Sequence, residues 1–143
     1  MTQPQKTFRL TLHSTTKQIG RVESFLNRIA RFAQLDEIQM HKLMVSVTEA
    51  ANNAIIHGNK MDPGKQVRLS CVVTPPWLVI TICDEGKGFD PKKVVSPLRR
   101  KNLLKESGRG IFLMRTLMDK VEYLVGGSSV QVQLWLDLRK KQP

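Results

Sequence analysis

The chain has 143 residues, of which 41% are hydrophobic and 24% are charged, and its net charge is +11. This length suits one domain that can bury a core, so we expect a single domain over residues 1–143. No apolar run is long enough to cross a bilayer and no secretory leader is apparent, which predicts a cytoplasmic protein without a membrane segment. The two cysteines exclude a disulfide framework and a cysteine-based metal cluster.

An opening strand and a helix are predicted first. Hydrophobic and polar residues alternate over residues 8–12, which is typical of a half-buried strand. Thr15 and Gln18 then have the spacing of a capping box, in which a Thr side chain and a Gln side chain each bond the other's backbone N–H. We therefore expect Thr15 to open the first helix.

The second helix has a stronger start signal. Asp36 and Gln39 again have capping-box spacing, and apolar residues follow at helical intervals. The pattern runs to about His57, and Gly58–Asn59 is typical of a helix C-terminus. The sequence therefore predicts one long helix that ends beside these two residues.

The second half of the chain contains two hairpins separated by a helix. Strands are predicted over residues 67–73 and 77–83, a helix over 109–119, and two closing strands over 121–125 and 130–138. The order β-α-α-β-β-α-β-β predicts an α/β two-layer sandwich, in which helices pack on one face of a mostly antiparallel sheet.

The first hairpin also predicts the state of the cysteines. Symmetric pairing about the Pro75–Pro76 turn places Cys71 opposite Ile80 and Cys83 opposite Arg68. The two thiols then point to opposite faces of the sheet, so they cannot form a disulfide.

Three short motifs carry the functional signal, and each alone is weak. They are Glu49-x-x-x-Asn53-x-x-x-His57-Gly58-Asn59, Asp84-x-Gly86-x-Gly88-Phe89 and Gly108-Arg109-Gly110-Ile111. Taken singly they also describe a solvated helix face, an acidic turn and a helix start. Together, in this order, they indicate a nucleotide site without a Walker-type phosphate loop.

The first motif suits a metal and a proton acceptor. Glu49, Asn53 and His57 are four residues apart, so they share one broad face of a helix. An Asn side-chain oxygen is a suitable ligand for Mg²⁺ that carries phosphates. Glu49, one turn earlier, can accept a proton from an attacking hydroxyl or water. His57, near the helix end, also has a purely structural interpretation.

The other two motifs suit a base and phosphates. Asp84 should emerge on the core face at a strand's end, where its carboxylate can accept a hydrogen bond from the exocyclic amine of adenine. Gly86 and Gly88 permit close approach of the backbone. Gly108 and Gly110 open a helix, whose free N–H groups and dipole favour a phosphate.

The basic charge is concentrated between the second and third motifs. Eight basic residues and two acidic ones lie from Lys87 to Arg109 inclusive, so this segment holds more than half of the net charge. Nucleic-acid binding is one explanation, but no recognised nucleic-acid-binding motif accompanies the charge and only 6% of residues are aromatic. We favour a basic segment that lies over a polyphosphate.

These motifs resemble the N, G1 and G2 boxes of the GHKL ATPases, whose nucleotide site is called the Bergerat fold. Within that superfamily the chain most resembles the bacterial anti-sigma-factor serine/threonine kinases, and the likeness covers essentially the whole chain. It implies a two-layer α/β sandwich with a mixed, mostly antiparallel sheet and helices on one face. It also implies ATP and Mg²⁺ as cofactors.

The resemblance also implies roles for single residues. Asn53 would hold Mg²⁺, Glu49 would be the catalytic base, Asp84 would bind adenine, and residues 90–107 would be the ATP lid. The other implied nucleotide-binding residues are His57, Gly86, Gly88, Lys105, Gly108, Arg109, Gly110 and Ser128. Two of these mark departures from the family, because Gly127–Ser128 replaces a Gly-Thr pair and Glu106 stands between Lys105 and the third motif.

The implied activity is phosphorylation of a small anti-anti-sigma antagonist by an anti-sigma factor that also sequesters a sigma factor. Relatives suggest a homodimer. The first alternative is an ATP-binding partner-switching module without kinase activity. The second is the catalytic domain of a histidine kinase acting in trans, which ranks lower because the chain has no phosphoacceptor helix pattern. Nucleic-acid binding ranks last.

Overall fold

The structure is a computed structural model that describes residues 5–85, 108–126 and 129–141. Within these residues the strands are β1 Lys6–His13, β2 Gln66–Thr74, β3 Trp77–Cys83, β4 Lys120–Gly126 and β5 Ser129–Asp137. The α-helices are α1 Gly20–Ala33, α2 Glu37–Asn53 and α3 Gly108–Leu117. A short 3₁₀ turn precedes α1, and a π-helical turn over Ala54–Gly58 continues α2.

The strands form one sheet in the order β1-β2-β3-β5-β4, and each described pairing is antiparallel. Alternate residues of the central strands are buried, so one face of the sheet carries the core. Helix α2 packs on this face against β3 and β5, with α1 and α3 on its flanks. The predicted two-layer α/β fold is therefore confirmed.

The β2–β3 hairpin has the predicted register. Cys71 lies opposite Ile80, and Cys83 lies opposite Arg68. Both cysteines are free thiols. Cys71 is completely buried, and this burial raises the pKa of its thiol to about 12, so the group remains a protonated, unreactive core residue.

The predicted start of the first helix is wrong. The Thr15 side chain makes no capping hydrogen bond, and α1 begins only at Gly20. The Gln18 side-chain oxygen instead accepts hydrogen bonds from the Arg21 guanidinium, at 2.9 Å, and from the His13 backbone N–H, at 3.4 Å. Because these donors occupy Gln18, it does not close a capping box with Thr15.

The predicted start of the second helix is confirmed. The Gln39 backbone N–H donates to Asp36 Oδ1 at 2.7 Å, and the Asp36 backbone N–H donates to Gln39 Oε1 at 3.0 Å. The rest of α2 is held by small and branched side chains that are almost fully buried, among them Val47, Ala50 and Ala51. The alanines let α2 lie close to the sheet, which fixes the position of its C-terminal half.

Candidate functional site

Helix α3 begins against the C-terminal half of α2. A Cβ atom built on the buried Gly110 would lie 2.9 Å from Glu49 Oε2 and 3.3 Å from Asn53 Nδ2. The missing side chain at Gly110 therefore allows the first turn of α3 to approach these two polar groups. A helix N-terminus has free N–H groups and a partial positive charge, so a donor surface for anions lies beside a carboxylate and an amide.

The Asn53 amide nitrogen is buried and has no partner among the described residues. A buried polar group without a partner costs about 1–3 kcal/mol, so this position favours a ligand that satisfies it. Rotation of the amide presents its oxygen at the same place, and an amide oxygen is a suitable ligand for Mg²⁺.

The described residues form no site that could bind a metal through protein side chains alone. The described part of the chain contains no group of three or more His, Cys, Asp or Glu residues that could hold an ion. Mg²⁺ usually binds through one or two protein ligands together with substrate phosphates and water. A single Asn ligand at the end of α2, beside the N-terminus of α3, therefore fits an ion that arrives with a polyphosphate.

Glu49 is placed one turn before Asn53 and is half-buried. Its carboxylate forms no ion pair or hydrogen bond with another described residue. The carboxylate thus lies at the junction of α2 and α3 without a partner among the described residues, in a position where it can accept a proton from a bound group.

Asp84 directly follows β3 and packs against Gly58. Asp84 is 5% exposed, and a Cβ atom built on Gly58 would overlap its carboxylate. No described glycine has a positive φ, so the backbone conformation does not explain why residue 58 is Gly. Gly is required there because any side chain would overlap the Asp84 carboxylate. The predicted end of the helical segment at Gly58 is confirmed, although Gly58 does not adopt the positive φ of a capping glycine.

Asn59 is a site-forming residue that sequence reasoning used only as a helix stop. It is 1% exposed, its amide nitrogen donates to Ser14 Oγ at 2.6 Å and to the Gln66 carbonyl at 2.9 Å, and its oxygen accepts from the Glu85 N–H at 2.8 Å. These bonds join the end of β1 and the start of β2 to the residue after Asp84. Asn59 thereby fixes the chain that carries the Asp84 carboxylate.

The last turn before Asn59 is π-helical. The Asn59 backbone N–H donates to the Ala54 carbonyl at 2.8 Å, which is an i to i+5 bond. The α-helical spacing that relates Glu49 to Asn53 therefore ends at Asn53. His57 lies in the π-helical turn, where it is exposed and makes no hydrogen bond to a described residue, so its binding role stays a prediction. Such turns are frequent at functional sites.

Several predicted binding residues cannot be placed. Gly86, Gly88, Lys105, Ser128 and the predicted lid over residues 90–107 lie outside the described residues. Gly108 and Arg109 form the first turn of α3 with Gly110, as the third motif predicted for a helix start. Across the described segments, no helix is both long and apolar enough to cross a membrane.

Known proteins are similar to this chain over most of its length. The profile of the family described as histidine kinase-like ATPase domain matches residues 12–135. The chain is 34% identical over 116 residues to the anti-sigma F factor of Anoxybacillus flavithermus, covering 77% of this chain and 80% of that protein. It is 35% identical over 92 residues to the serine-protein kinase RsbW of Bacillus subtilis, covering 60% of this chain and 56% of that protein.

Solved structures show the same fold. A structure of the RsbU and RsbW domains of a Mycobacterium tuberculosis protein superposes with a TM-score of 0.69 at 13% identity, covering 92% of this chain and 32% of that one. A blue-light-activated histidine kinase domain from Erythrobacter litoralis superposes with a TM-score of 0.57 at 18% identity, covering 87% of this chain and 61% of that one. The chain belongs to the family of histidine kinase-like ATPase domains, within the group that contains the anti-sigma F factors.

Proposed function

We propose that this chain is an ATP-dependent serine/threonine protein kinase and anti-sigma factor of the cytoplasm. It phosphorylates a small anti-anti-sigma antagonist and, in the alternative partner state, holds a sigma factor. The names of the relatives, anti-sigma F factor and serine-protein kinase, support this proposal. The observation that carries the catalytic part is the approach of Gly110 to Glu49 and Asn53.

Asp84 is the proposed adenine-binding residue. Its carboxylate lies at the end of β3 and against Gly58, so it is held in one place. It accepts a hydrogen bond from the exocyclic amine of adenine. Guanine has a carbonyl at that position, which the carboxylate repels, so ATP is favoured over GTP. Gly86 and Gly88 are proposed to line the same part of the site.

The phosphates are proposed to lie at the N-terminus of α3. The backbone N–H groups of Gly108, Arg109 and Gly110 donate to phosphate oxygens there. Asn53 would hold the Mg²⁺ ion, which, when bound, neutralises charge on the phosphate oxygens. His57, Lys105, Ser128 and a lid over residues 90–107 are proposed to complete the nucleotide site.

Glu49 is the proposed general base. The serine hydroxyl oxygen of the antagonist attacks the γ-phosphorus, the bond from that phosphorus to the β,γ-bridging oxygen breaks, and ADP leaves. The hydroxyl proton passes to the Glu49 carboxylate. This role requires a carboxylate that no internal cation neutralises, and Glu49 has none among the described residues.

Replacement of Glu49 by Gln tests the proposal. Gln keeps the size of the side chain but cannot take the proton, and loss of a general base typically lowers a rate about 10²–10⁴-fold. We expect ATP affinity and antagonist capture close to those of the wild type, with phosphate transfer reduced by that factor. Glu23→Gln is the matched control, since Glu23 is an exposed glutamate on α1, and it should transfer phosphate normally.

Two results would overturn this function. Wild-type protein that binds ATP and antagonist but transfers no phosphate would support the partner-switching module. Phosphate on the antagonist that acid treatment removes would indicate a histidine acceptor, because phosphohistidine is acid-labile and phosphoserine is stable. Mass spectrometry of the antagonist distinguishes these outcomes.

A further inference from the structure

A cluster of polar groups joins the residue after Asp84 to three other segments of the chain. It consists of Ser14 after β1, Asn59 after the π-helical turn, Gln66 at the start of β2, and Glu85. Ser14 and Asn59 are almost completely buried, whereas Glu85 is exposed. None of the four is among the residues predicted to contact the nucleotide. We call these four residues the Asn59 cluster.

Three members of the Asn59 cluster form a closed ring of hydrogen bonds. The Glu85 backbone N–H donates to Asn59 Oδ1 at 2.8 Å, and the Asn59 amide nitrogen donates to the Gln66 carbonyl at 2.9 Å. The Gln66 backbone N–H then donates to Glu85 Oε2, which closes the ring. Glu85 is therefore held through both its backbone and its side chain. The other bond of the Asn59 amide nitrogen, to Ser14 Oγ at 2.6 Å, lies outside the ring.

The ring begins where the sheet ends. The described pairings of β3 with β2 and with β5 both stop at Cys83, so no described strand pairing reaches Asp84 or Glu85. Residues beyond the last strand pair usually have more freedom than the strand itself. Here the sheet fixes Cys83 and the ring fixes Glu85, so the chain is held on both sides of Asp84. The ring thus restrains the Asp84 carboxylate where the sheet no longer does.

The backbone that follows Asn59 is in an unfavourable conformation. Lys60 and Met61 have φ values of 53° and 57°, in the left-handed region that residues with side chains rarely adopt. The Met61 N–H donates to the Ile55 carbonyl at 2.8 Å, and the Asp62 N–H donates to the Asn59 carbonyl at 3.1 Å. Strained residues persist where the surrounding structure determines them, and they cluster at ligand sites. The strained turn therefore supports a functional role for the position of Asn59.

We propose that Asn59 and Glu85 are positioning residues for recognition of the nucleotide base. This inference rests on the proposed role of Asp84, through which both residues act. The hydrogen bond to the adenine amine and the repulsion from the guanine carbonyl both depend on where the Asp84 carboxylate lies. When the ring is opened the carboxylate moves more freely, so ATP binds more weakly and GTP is repelled less. The ring thus sets how strongly the site prefers adenine over guanine nucleotides.

Glu85→Ala opens the ring with little risk to the fold, because the side chain is exposed. The ratio of ATP affinity to GTP affinity, measured by titration calorimetry, should fall about 5-fold, which is within the usual effect of one hydrogen bond. Glu85→Gln keeps an oxygen that accepts from the Gln66 N–H and should keep the wild-type ratio. Glu122→Ala is the matched control, because it removes an exposed glutamate from β4 at one edge of the sheet, and it should also keep the ratio.

Two buried substitutions separate the ring from the rest of the cluster. Asn59→Ala removes all the side-chain bonds of this residue, so it should lower both the stability and the affinity ratio. Ser14→Ala removes only the bond outside the ring, so urea unfolding should show lower stability while the affinity ratio stays the same. If Asn59→Ala does not fold, the exposed Glu85 variants alone decide. A ratio that falls as far in Ser14→Ala as in Glu85→Ala would mean that the cluster acts only through packing, and the proposal would be wrong.

A double-mutant cycle tests whether Glu85 acts through Asp84. In an Asp84→Ala background, Glu85→Ala should cause no further change in the ATP and GTP affinities. Equal losses in both backgrounds, or equal effects of Glu85→Gln and Glu85→Ala, would mean that Glu85 acts on the nucleotide directly, and the inference would fail. Wild-type protein that binds ATP and GTP equally would overturn the base-binding role of Asp84 itself. A wild-type preference for ATP that Glu85→Ala leaves intact would overturn the positioning role alone.

Discussion

The two ends of helix α2 differ in how their polar side chains are satisfied. At the N-terminal end, Asp36 and Gln39 bond each other's backbone, and the Gln39 amide also donates to the Leu138 and Lys140 carbonyls at 3.5 and 3.4 Å. At the C-terminal end, the Asn53 amide nitrogen is buried without a partner among the described residues. The first end is bonded to its own chain, and the second has a buried donor without a partner among the described residues.

This difference distinguishes polar side chains that stabilise the fold from a polar side chain that the fold leaves unsatisfied. A capping box lowers the free energy of the folded state directly, typically by about 1 kcal/mol. An unsatisfied buried amide raises it, and a bound ligand can recover the cost. Changes at the first end of α2 should therefore alter stability alone, and changes around the second should alter binding or catalysis.

Gly110→Ala should have the largest effect, and it acts at the functional end. The new Cβ would meet Glu49 Oε2 at 2.9 Å and Asn53 Nδ2 at 3.3 Å, and the tips of these side chains must move. A displacement of about 1 Å at a catalytic group can lower a rate roughly 10²-fold. Ala in place of Gly in a helix meanwhile stabilises it by up to about 1 kcal/mol.

We therefore expect Gly110→Ala to lose most phosphate transfer while its free energy of unfolding in urea stays equal or rises. A loss of stability that parallels the loss of transfer would mean that Gly110 serves only the packing of α3.

Gly58→Ala should have the next largest effect, on ATP affinity. Its Cβ would overlap the Asp84 carboxylate, which must move out of position. A hydrogen bond to a charged group contributes about 1.5–3 kcal/mol, so ATP affinity should fall at least about 10-fold and the preference over GTP should shrink. Titration calorimetry measures both. Gly20→Ala is the control, because a Cβ there meets nothing within 4 Å; equal ATP affinities in the two variants would exclude Asp84 as the adenine-binding residue.

Asp36→Ala tests the structural end. It removes the capping bond to the Gln39 backbone, which should lower the free energy of unfolding by about 1 kcal/mol. ATP affinity of the folded protein should not change. Urea unfolding and nucleotide titration provide the two values, and a changed ATP affinity would show that the two ends of α2 are not independent.

Acid should weaken the chain segment that contacts this structural end. Asp137 is the last residue of β5, and the Leu138 and Lys140 carbonyls that follow it accept hydrogen bonds from Gln39. The Arg139 guanidinium bonds both Asp137 oxygens at 2.9 Å and lowers the pKa of that carboxyl from 3.8 to about 2. The unfolded chain therefore takes up the proton first, and the free energy of unfolding falls as the pH drops from 3.8 to about 2. This part of the pH dependence should be absent in Asp137→Asn. Urea unfolding across this pH range measures it, and identical slopes in both proteins would contradict the ion pair's contribution.

Local signals explain what the sequence predicted well. The Asp36–Gln39 capping box involves residues three apart, and alternation in β2 and β3 determines the opposition of Cys71 and Ile80. Helix periodicity likewise placed Glu49 and Asn53 on one face. Each of these predictions depends on neighbours in the chain, so composition and spacing suffice.

Long-range contacts explain what the sequence did not predict. Residue 58 must be Gly because the Asp84 carboxylate occupies the space of a side chain. Asn59 is needed because its side chain forms hydrogen bonds with several residues, including Ser14 and Glu85. The predicted Thr15 capping box is wrong for a similar reason, because donors outside the box are bonded to the Gln18 side chain. No local pattern encodes partners that only the fold brings together.

The most direct test of the account compares two buried polar groups of α2 that lack partners in the described structure. Ser46 Oγ and Asn53 Nδ2 are both buried and unbonded, but Ser46 lies on the core face of α2 and Asn53 lies at the α3 junction. ATP is titrated into Ser46→Ala and Asn53→Ala with and without Mg²⁺. Ser46→Ala should keep the wild-type affinity, with stability unchanged or raised by up to about 1 kcal/mol. Asn53→Ala should lose about 10-fold or more of the Mg²⁺-dependent affinity while staying folded. Equal Mg²⁺-dependent affinities in the two variants would contradict the assignment of the C-terminal end of α2 as the nucleotide site.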